Sequence, residues 1–232
     1  MFLRSLPAAG LGSLQNMLGP LGGQAGRSRT PRIPADLADH PDRLRWNERY
    51  RAAGYVASFA PHPLASLALS MPLPAGPVLE LAAGPSGSAL LAAAAGRQVT
   101  AVDASDVALG LLAQEARRRD LDGLITLVLA DLASWRPEPA GYCLVLCTGF
   151  WDRAAFAAAA EAVCRGGMIG WEALTEAARR DHPRLPLEWC VGRGEPAALL
   201  PAGFEVVSQD DIGPESATRR RLLARATPSG QR

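Results

Sequence analysis

Residues 78–90 read VLELAAGPSGSAL, a pattern that predicts a strand, a tight turn and the start of a helix. An apolar run containing one acid, Glu80, breaks into a loop of small residues and restarts as a helix. Small residues between a strand and a helix allow a tight turn and a close approach of the backbone to a ligand. Free amides at the start of the helix favour a polar or anionic group there. The stretch therefore predicts a ligand-facing turn over residues 82–87.

The same alternation of strand and helix continues along the chain. The pattern predicts strands at 78–82, 98–103, 124–130, 142–148, 167–173, 203–209 and 217–226, with helices at 87–96, 106–119, 152–164 and 195–201. Strands and helices in this order predict right-handed crossovers and a mostly parallel sheet with helices on both faces. The short connection DDIGPES predicts that the last two strands form a hairpin, which makes one strand antiparallel.

The segment before the first strand predicts two helices. The first is an amphipathic helix at 40–54, closed by Gly54, and the second lies in PHPLASLALSM (61–71). We predict a flexible leader over 1–38, one domain over 39–226 with a helical cap at 39–72 and a core at 77–226, and a disordered tail at 227–232.

Composition narrows the classes of partner. The 232 residues are 48% hydrophobic and 20% charged, with a formal net charge of +1. A balanced charge gives no general electrostatic reason to bind nucleic acid or an anionic membrane. The four cysteines have neither zinc-site nor redox spacing, which predicts buried thiols in a reducing cytoplasm and no metal site.

Three acids, Glu80, Asp103 and Asp131, lie at or near the ends of the first three strands. In a parallel sheet the loops at the carboxyl ends of the strands bind the ligand, so the three side chains are expected to meet there. Asp103 follows Gly84 by nineteen residues and would accept hydrogen bonds from both ribose hydroxyls of a nucleoside. Ser105 or Asp106 can cap the next helix, which would leave Asp103 free. Asp131 could accept from an adenine amino group, or be a solvated acid.

The segments VLELAAGPSGSALLA, VTAVDAS and VLADLASW resemble the first three motifs of class I S-adenosylmethionine-dependent methyltransferases. The resemblance covers about residues 40–226 and continues through the fourth strand, its helix, the GG turn and the fifth strand. RWNERYRAAG is similar to the cap helix of the tellurite-resistance and thiopurine branches. The resemblance implies an α/β, Rossmann-like, seven-stranded, mostly parallel sheet with one antiparallel strand and an N-terminal helical cap. It also implies S-adenosylmethionine as cofactor.

The resemblance and the loop positions together give a set of candidate cofactor-binding residues. These are Trp46, Tyr50, Glu80, Ala82, Gly84, Ser86, Asp103, Ala104, Asp131, Leu132, Cys147 and Thr148. The family prefers glycine at the places of Ala82, Gly84 and Ser86, so two of the three positions here carry a side chain where the methionine part of the cofactor is expected.

The molecule that receives the methyl group is expected to bind to aromatic and polar residues of the later loops and the cap. Candidate acceptor-binding residues are Tyr55, Trp151, Trp189 and Arg193. Glu172 and His182 are candidate bases or acceptor-orienting groups. The alternatives are a structural ion pair from Glu172 to Arg153 or Arg193, an exposed His182, and an Arg193 that caps the helix starting at Glu195. The run Arg219–Arg221 is expected to form a solvated strand edge.

These observations predict a methyltransferase that transfers a methyl group to a small-molecule acceptor at O, N or a soft S, Se or Te atom. Methyl transfer from a sulfonium needs alignment and the exclusion of water, so no nucleophile or metal cluster is required. Three alternatives stay open: a cofactor-binding but inactive relative, a nucleic-acid methyltransferase, and an NAD-binding enzyme. The spacing Ala82-x-Gly84-x-x-Gly87 is compatible with the last. Oligomeric state is not predicted.

Overall fold

A computed structural model describes residues 31–52, 56–214 and 218–227. Its sheet has seven strands: β1 (Val78–Leu81), β2 (Val99–Asp103), β3 (Ile125–Leu129), β4 (Tyr142–Thr148), β5 (Val163–Leu174), β6 (Phe204–Ile212) and β7 (Arg219–Ala226). The strand order is β3-β2-β1-β4-β5-β7-β6. The strands from β3 to β5 are parallel, and β7 is antiparallel to both of its neighbours. This confirms the predicted fold class.

Five α-helices accompany the sheet within the described residues: α1 (Pro41–Arg51), α2 (Pro63–Ser70), α3 (Gly87–Ala94), α4 (Asp106–Arg118) and α5 (Arg153–Glu161). Apolar residues of α2, α3 and α4 join one core cluster, and those of α5 join another that includes Phe156 and Trp171. The sheet is thus covered on both faces, as its continuous apolar strands require. No described helix is long and apolar enough to cross a membrane.

Two differences between the observed and the predicted bounds of helices and strands have a clear cause in the sequence. The helix predicted at 152–164 ends at Glu161, and β5 already begins at Val163. Gly166 adopts a φ of +76° there, and an irregularity between the pairs Tyr142–Val163 and Leu144–Met168 absorbs the extra residues. The helix predicted at 195–201 is only a 3₁₀ turn, Ala197–Leu199. Prolines at 196 and 201 leave too few residues between them for an α-helix.

The leader boundary at residue 38 and the predicted character of the cap helix also need correction. Leu37 lies in a 3₁₀ turn and is buried with Leu109 and Leu129, so residues next to the cap are packed. The buried residues of α1 are Arg43 and Asn47, which means that the helix docks by polar contacts and not by an apolar face. Most of the leader, Gly54 and the end of the predicted tail lie outside the described residues.

Candidate active site

The turn after β1 is shaped by its small residues. Ala82 has a φ of +49° and Gly84 a φ of +59°, both in the left-handed region. A Cβ atom on Gly87 would collide with the carbonyl groups of Phe59 and Ala60, because the segment before α2 runs directly over this turn. Gly87 therefore satisfies a packing requirement, and Gly84 a conformational one.

Asp103 closes this turn from the neighbouring strand. One carboxylate oxygen accepts from the Gly84 amide at 2.8 Å, and the other accepts from the Ser105 amide at 2.7 Å. Burial raises the pKa of Asp103 to about 6, although these hydrogen bonds act in the opposite direction. Ser105 caps α4, so Asp103 is spared that role as predicted, but the Gly84 and Ser105 amides hold both of its oxygens. Each oxygen still has a second lone pair with which to accept from a ligand.

Glu80 and Ser86 form a hydrogen-bonded pair beneath the same turn. The Ser86 hydroxyl donates to Glu80 Oε2 at 2.6 Å and accepts from the Ala89 amide at 3.0 Å, which makes Ser86 the cap of α3. Both residues are buried. Burial raises the pKa of Glu80 to about 7, against the hydrogen bond from Ser86. Because the hydroxyl is directed to Glu80, it does not project into the space expected for a ligand.

The cap helix α1 is anchored on the beginning of α4. Arg43 Nε and Asn47 Nδ2 each donate to Asp106 Oδ1 at 2.7 Å. The Ser105 hydroxyl donates to Asn47 Oδ1 at 2.6 Å. Ser105 directly follows Ala104, so the anchor connects the cap helix to the loop that carries Asp103.

Two aromatic residues of the cap lie at the same edge of the sheet. A Cβ atom on Gly84 would be 3.0 Å from the Tyr50 hydroxyl, so Tyr50 lies next to the turn. Trp46 stacks on Tyr50 with 6.0 Å between ring centroids. The Arg45 guanidinium lies 5.4 Å from the Trp46 ring and 5.0 Å from the Trp189 ring. The structure thus brings together three candidates, Trp46, Tyr50 and Trp189, from the cap and the distant long loop.

At the end of β3, Asp131 is held by its own loop. Its Oδ1 accepts from the Ala133 amide at 3.0 Å, and its Oδ2 lies 3.7 Å from Nε2 of His40. Leu132 is only 7% exposed and belongs to the core cluster on the α5 face. It therefore presents less surface for an adenine ring than the sequence suggested.

The candidate residues at the end of β4 and just after it differ in how deeply they are buried. Cys147 is fully buried beside Leu81, its partner on β1, and burial raises the pKa of its thiol well above the ordinary value. Thr148 is half-buried. Trp151 is 3% exposed and packs on Phe156 and Trp171, so its predicted contact with an acceptor is wrong. A large apolar ring at this position fills the core.

Glu172, the candidate base, is buried in a cluster of cationic and polar groups. Arg221 Nε donates to Glu172 Oε2 at 2.8 Å, and His62 Nε2 lies 3.4 Å from Oε1. Burial acts to raise the pKa of Glu172, but His62 and Arg221 outweigh it and hold the pKa below its usual range. Such a carboxylate is a poor base. The predicted partners Arg153 and Arg193 are wrong: Glu172 forms its ion pair with Arg221, and Arg153 pairs with Glu195 at 2.8 Å.

The remaining acceptor candidates are His182, Arg193 and Tyr55. His182 and Arg193 are exposed on the long loop, and Tyr55 lies outside the described residues. The prediction that Arg219–Arg221 forms a solvated edge is wrong, since β7 lies between β5 and β6. Its arginines instead pair with acids, as Arg220 does with Asp211 at 2.6 Å.

Comparison with known proteins shows which family this part of the chain resembles. Residues 78–167, from β1 into β5, match the family model described as a methyltransferase domain. The match spans less than half of the chain and identifies this part of it as a methyltransferase domain. The protein is accordingly an S-adenosylmethionine-dependent methyltransferase. No curated protein matches the sequence.

Solved structures agree in fold with this methyltransferase. The geranyl diphosphate C-methyltransferase from Streptomyces coelicolor A3(2) is similar at a TM-score of 0.61 and 10% identity, over 84% of this chain and 100% of that one. The magnesium protoporphyrin IX methyltransferase from Synechocystis PCC 6803 has a TM-score of 0.58 and 18% identity, over 79% of this chain and 94% of that one. The CcbJ methyltransferase from Streptomyces caelestis has a TM-score of 0.58 and 18% identity, over 81% of this chain and 97% of that one. At these identities the likeness is one of fold.

Several residues of the methyltransferase escaped sequence reasoning. Arg43 and Asn47 lie one turn apart on α1, and this i, i+4 spacing of hydrogen-bonding side chains was the available signal. His40 and His62 each directly precede a proline that begins a helix. Arg221 gave no local signal, because its partner lies 49 residues away.

Proposed function

We propose that the methyltransferase methylates a small molecule at an O, N or soft S, Se or Te atom. The likeness in fold to enzymes named for magnesium protoporphyrin IX and geranyl diphosphate supports a small acceptor. The contact of Arg45 with Trp46 and Trp189 supports it as well, because the cap and the long loop narrow access to the edge of the sheet. The narrower assignment to the tellurite-resistance or thiopurine branch, and a cytoplasmic location, stay predictions.

One observation carries the proposal: Gly84, Asp103 and Tyr50 converge at one point of the sheet edge. The Gly84 amide and the Asp103 carboxylate are hydrogen-bonded, and the Tyr50 hydroxyl lies 3.0 Å from where a Gly84 Cβ atom would be. We assign the ribose hydroxyls of the cofactor to Asp103, whose oxygens are already oriented by two backbone amides. Tyr50 and Trp46 would cover the bound cofactor.

The residues around the turn fit the rest of the cofactor. Its amino-acid end carries an ammonium group and its sulfur a positive charge, so a buried carboxyl such as Glu80 suits this place electrostatically. Ser86 keeps its hydroxyl on Glu80, and the methyl group of Ala82 is the smallest side chain possible. Asp131, at the end of β3, would accept from the adenine amino group, with His40 beside it.

The chemistry demanded of the chain itself is modest. The cofactor supplies an activated methyl group, and the protein contributes binding, orientation and exclusion of water. Alignment of this kind is worth roughly 7–11 kcal/mol. We assign Glu172 a structural role, because its pKa is lowered and its oxygens are held by Arg221 and His62. A proton released by the acceptor would pass to solvent or to a group that the acceptor itself brings near.

Calorimetric titration tests the proposal directly. S-adenosylmethionine, S-adenosylhomocysteine and NAD are titrated into the wild type, Asp103→Asn and the control Asp122→Ala, whose acid lies in the turn before β3. We expect both sulfur nucleosides to bind the wild type and Asp122→Ala, and to bind Asp103→Asn at least tenfold more weakly. Asparagine preserves the size of the side chain, so a circular dichroism melt can separate lost binding from lost folding.

Each other outcome has a definite meaning. Binding of NAD alone would overturn the cofactor assignment, although the position of antiparallel β7 already argues against a dinucleotide-binding order of strands. Failure of all three ligands would identify an inactive relative. A salt-sensitive gel shift with RNA or DNA would replace the small acceptor by a nucleic acid.

A further inference from the structure

The long loop after β5 folds as a compact unit whose two ends lie together. Thr175 and Val191 form a parallel bridge, and the Val191 amide donates to the Leu174 carbonyl at 2.8 Å. Within the loop, Arg179 Nε donates to the Leu185 carbonyl at 3.0 Å. A surface loop of this length with adjacent ends and internal hydrogen bonds is an Ω-loop, and such loops are frequently functional.

Trp189 is the residue of this loop that contacts the cap. It lies in the 3₁₀ turn Leu187–Trp189 and is 43% exposed. Cys190, which follows it directly, is buried, and its amide donates to the Leu187 carbonyl at 3.0 Å. Cys190 thus fixes the backbone at the point from which the Trp189 ring projects, so the ring is held ready for a contact with another element.

Arg45 of α1 makes that contact. Its guanidinium lies 5.0 Å from the centre of the Trp189 ring and 5.4 Å from the centre of the Trp46 ring. Asp42, one turn earlier on the helix, pairs with Arg45 Nη2 at 2.9 Å. A guanidinium within about 6 Å of an aromatic ring is attracted to its face. One arginine therefore connects the cap to the loop that follows β5.

The same series of contacts reaches the turn after β1. Trp46 stacks on Tyr50 with 6.0 Å between ring centroids. The Tyr50 hydroxyl lies 3.0 Å from where a Gly84 Cβ atom would be. A ligand bound at this turn would therefore have the cap beside it and the long loop fastened to the cap.

The cap and the loop differ in how firmly they are held. Arg43 and Asn47 each donate to Asp106 Oδ1 at 2.7 Å, which fixes α1 on α4 by charge-assisted hydrogen bonds. The loop meets α1 through the contact of Arg45 with Trp189, and an exposed contact of this kind is weak. If the two elements separate, the loop is therefore expected to be the one that moves.

We propose that Arg45 is a positioning residue whose contact with Trp189 closes the long loop beside the cofactor, and that this contact opens when S-adenosylmethionine enters or S-adenosylhomocysteine leaves. The inference rests on the proposed function, in which Tyr50 and Trp46 cover the cofactor. It assigns control of cofactor exchange to the contact between cap and loop, in the way that lids control exchange in other enzymes.

Surface plasmon resonance on the immobilised full-length protein tests the inference, because it measures the association and the release of S-adenosylhomocysteine separately. The variants are Arg45→Leu, Trp189→Leu and the double variant, with Arg45→Lys as the substitution that keeps the cation. Arg49→Leu is the matched control, since the Arg49 guanidinium also lies 5.4 Å from the Trp46 ring. Circular dichroism melts verify that each variant is folded.

We expect Arg45→Leu and Trp189→Leu each to speed the release on the order of threefold, which corresponds to the loss of one exposed cation–π contact. Because a gate hinders entry and exit alike, association should quicken similarly and Kd should change by less than about twofold. The double variant should be no faster than the single ones, since both substitutions remove the same contact. Arg45→Lys and Arg49→Leu should behave as the wild type does.

Three results would overturn the inference. Release at the wild-type rate in Arg45→Leu or Trp189→Leu would show that the contact does not limit exchange. Equal acceleration in Arg49→Leu would assign the effect to Trp46 alone. Faster release with unchanged association would make Arg45 a contributor to affinity and not part of a gate. If the wild type itself does not bind S-adenosylhomocysteine, the proposed function fails first, so the two failures are distinguishable.

Discussion

The two halves of the sheet edge treat their buried acids in opposite ways. At β1 and β2, hydrogen bonds from a hydroxyl and from backbone amides hold Glu80 and Asp103, and burial raises both pKa values. At β5, Arg221 and His62 hold Glu172 and lower its pKa. The first half keeps carboxyls whose charge a cationic ligand would stabilise. In the second half, Arg221 already neutralises the charge of Glu172 within the protein, so Glu172 has a structural role.

The largest loss of stability is expected for a substitution in the closely packed turn after β1, in the half of the edge that is proposed to bind the cofactor. Gly87→Ala should lower the free energy of unfolding by more than about 3 kcal/mol, because the new methyl group would collide with the carbonyl groups of Phe59 and Ala60. Urea denaturation measures the change. Gly123→Ala is the control, since a Cβ atom there has no neighbour within 4 Å and should change stability little. Equal losses in both variants would show that the turn tolerates a side chain at residue 87.

On the acceptor half, removal of one buried charge should cost slightly less. Glu172→Gln leaves Arg221 without its carboxylate, and we expect a loss of about 2 to 3 kcal/mol in the free energy of unfolding, since Arg221 is partly exposed. The exposed pair of Arg153 and Glu195 provides the comparison, and Arg153→Met should cost less than about 1 kcal/mol. If Glu172→Gln were as stable as wild type but inactive, Glu172 would be a catalytic group after all.

The raised pKa values of Asp103 and Glu80 predict how cofactor affinity and protein stability change with pH. Asp103 must be ionised to accept from the ribose, and its pKa is about 6, so affinity for S-adenosylmethionine should rise about tenfold from pH 5 to 7.5. Stability without ligand should change in the opposite direction. The folded pKa values of Asp103 and Glu80 exceed the unfolded ones, so the free energy of unfolding falls as pH rises from about 4 to 7.

Calorimetry and urea denaturation across this range measure the two quantities. Asp103→Asn should flatten most of the pH dependence of binding. Affinity that is constant from pH 5 to 7.5 in the wild type would mean that Asp103 is ionised before the cofactor arrives.

The smallest effect concerns Ala82. Its φ of +49° costs about 1 kcal/mol for a residue with a side chain, so Ala82→Gly should raise the free energy of unfolding by about 0.5 kcal/mol after the entropy of glycine is counted. Ala94→Gly, at the exposed last residue of α3, should lower it by up to about 0.5 kcal/mol. Equal destabilisation by both substitutions would contradict the strain at Ala82.

Local sequence patterns predict the alternation of strands and helices, the turn after Glu80 and the acids at the strand ends. These depend on contacts between residues close in the chain: apolar periodicity, small residues in a turn, and caps such as Ser86 and Ser105. The final hairpin with its antiparallel strand also followed from a short connection, whereas the position of β7 between β5 and β6 did not.

Which polar groups contact one another depends on the packing of elements that are distant in the chain. Arg221 reaches Glu172 across 49 residues, Asn47 anchors the cap on Ser105 across 58, and Trp151 enters the core although its neighbours in sequence are loop residues. A long polar side chain has several partners within reach of a given backbone position. The packing of distant elements selects one of them, and no local pattern records that choice.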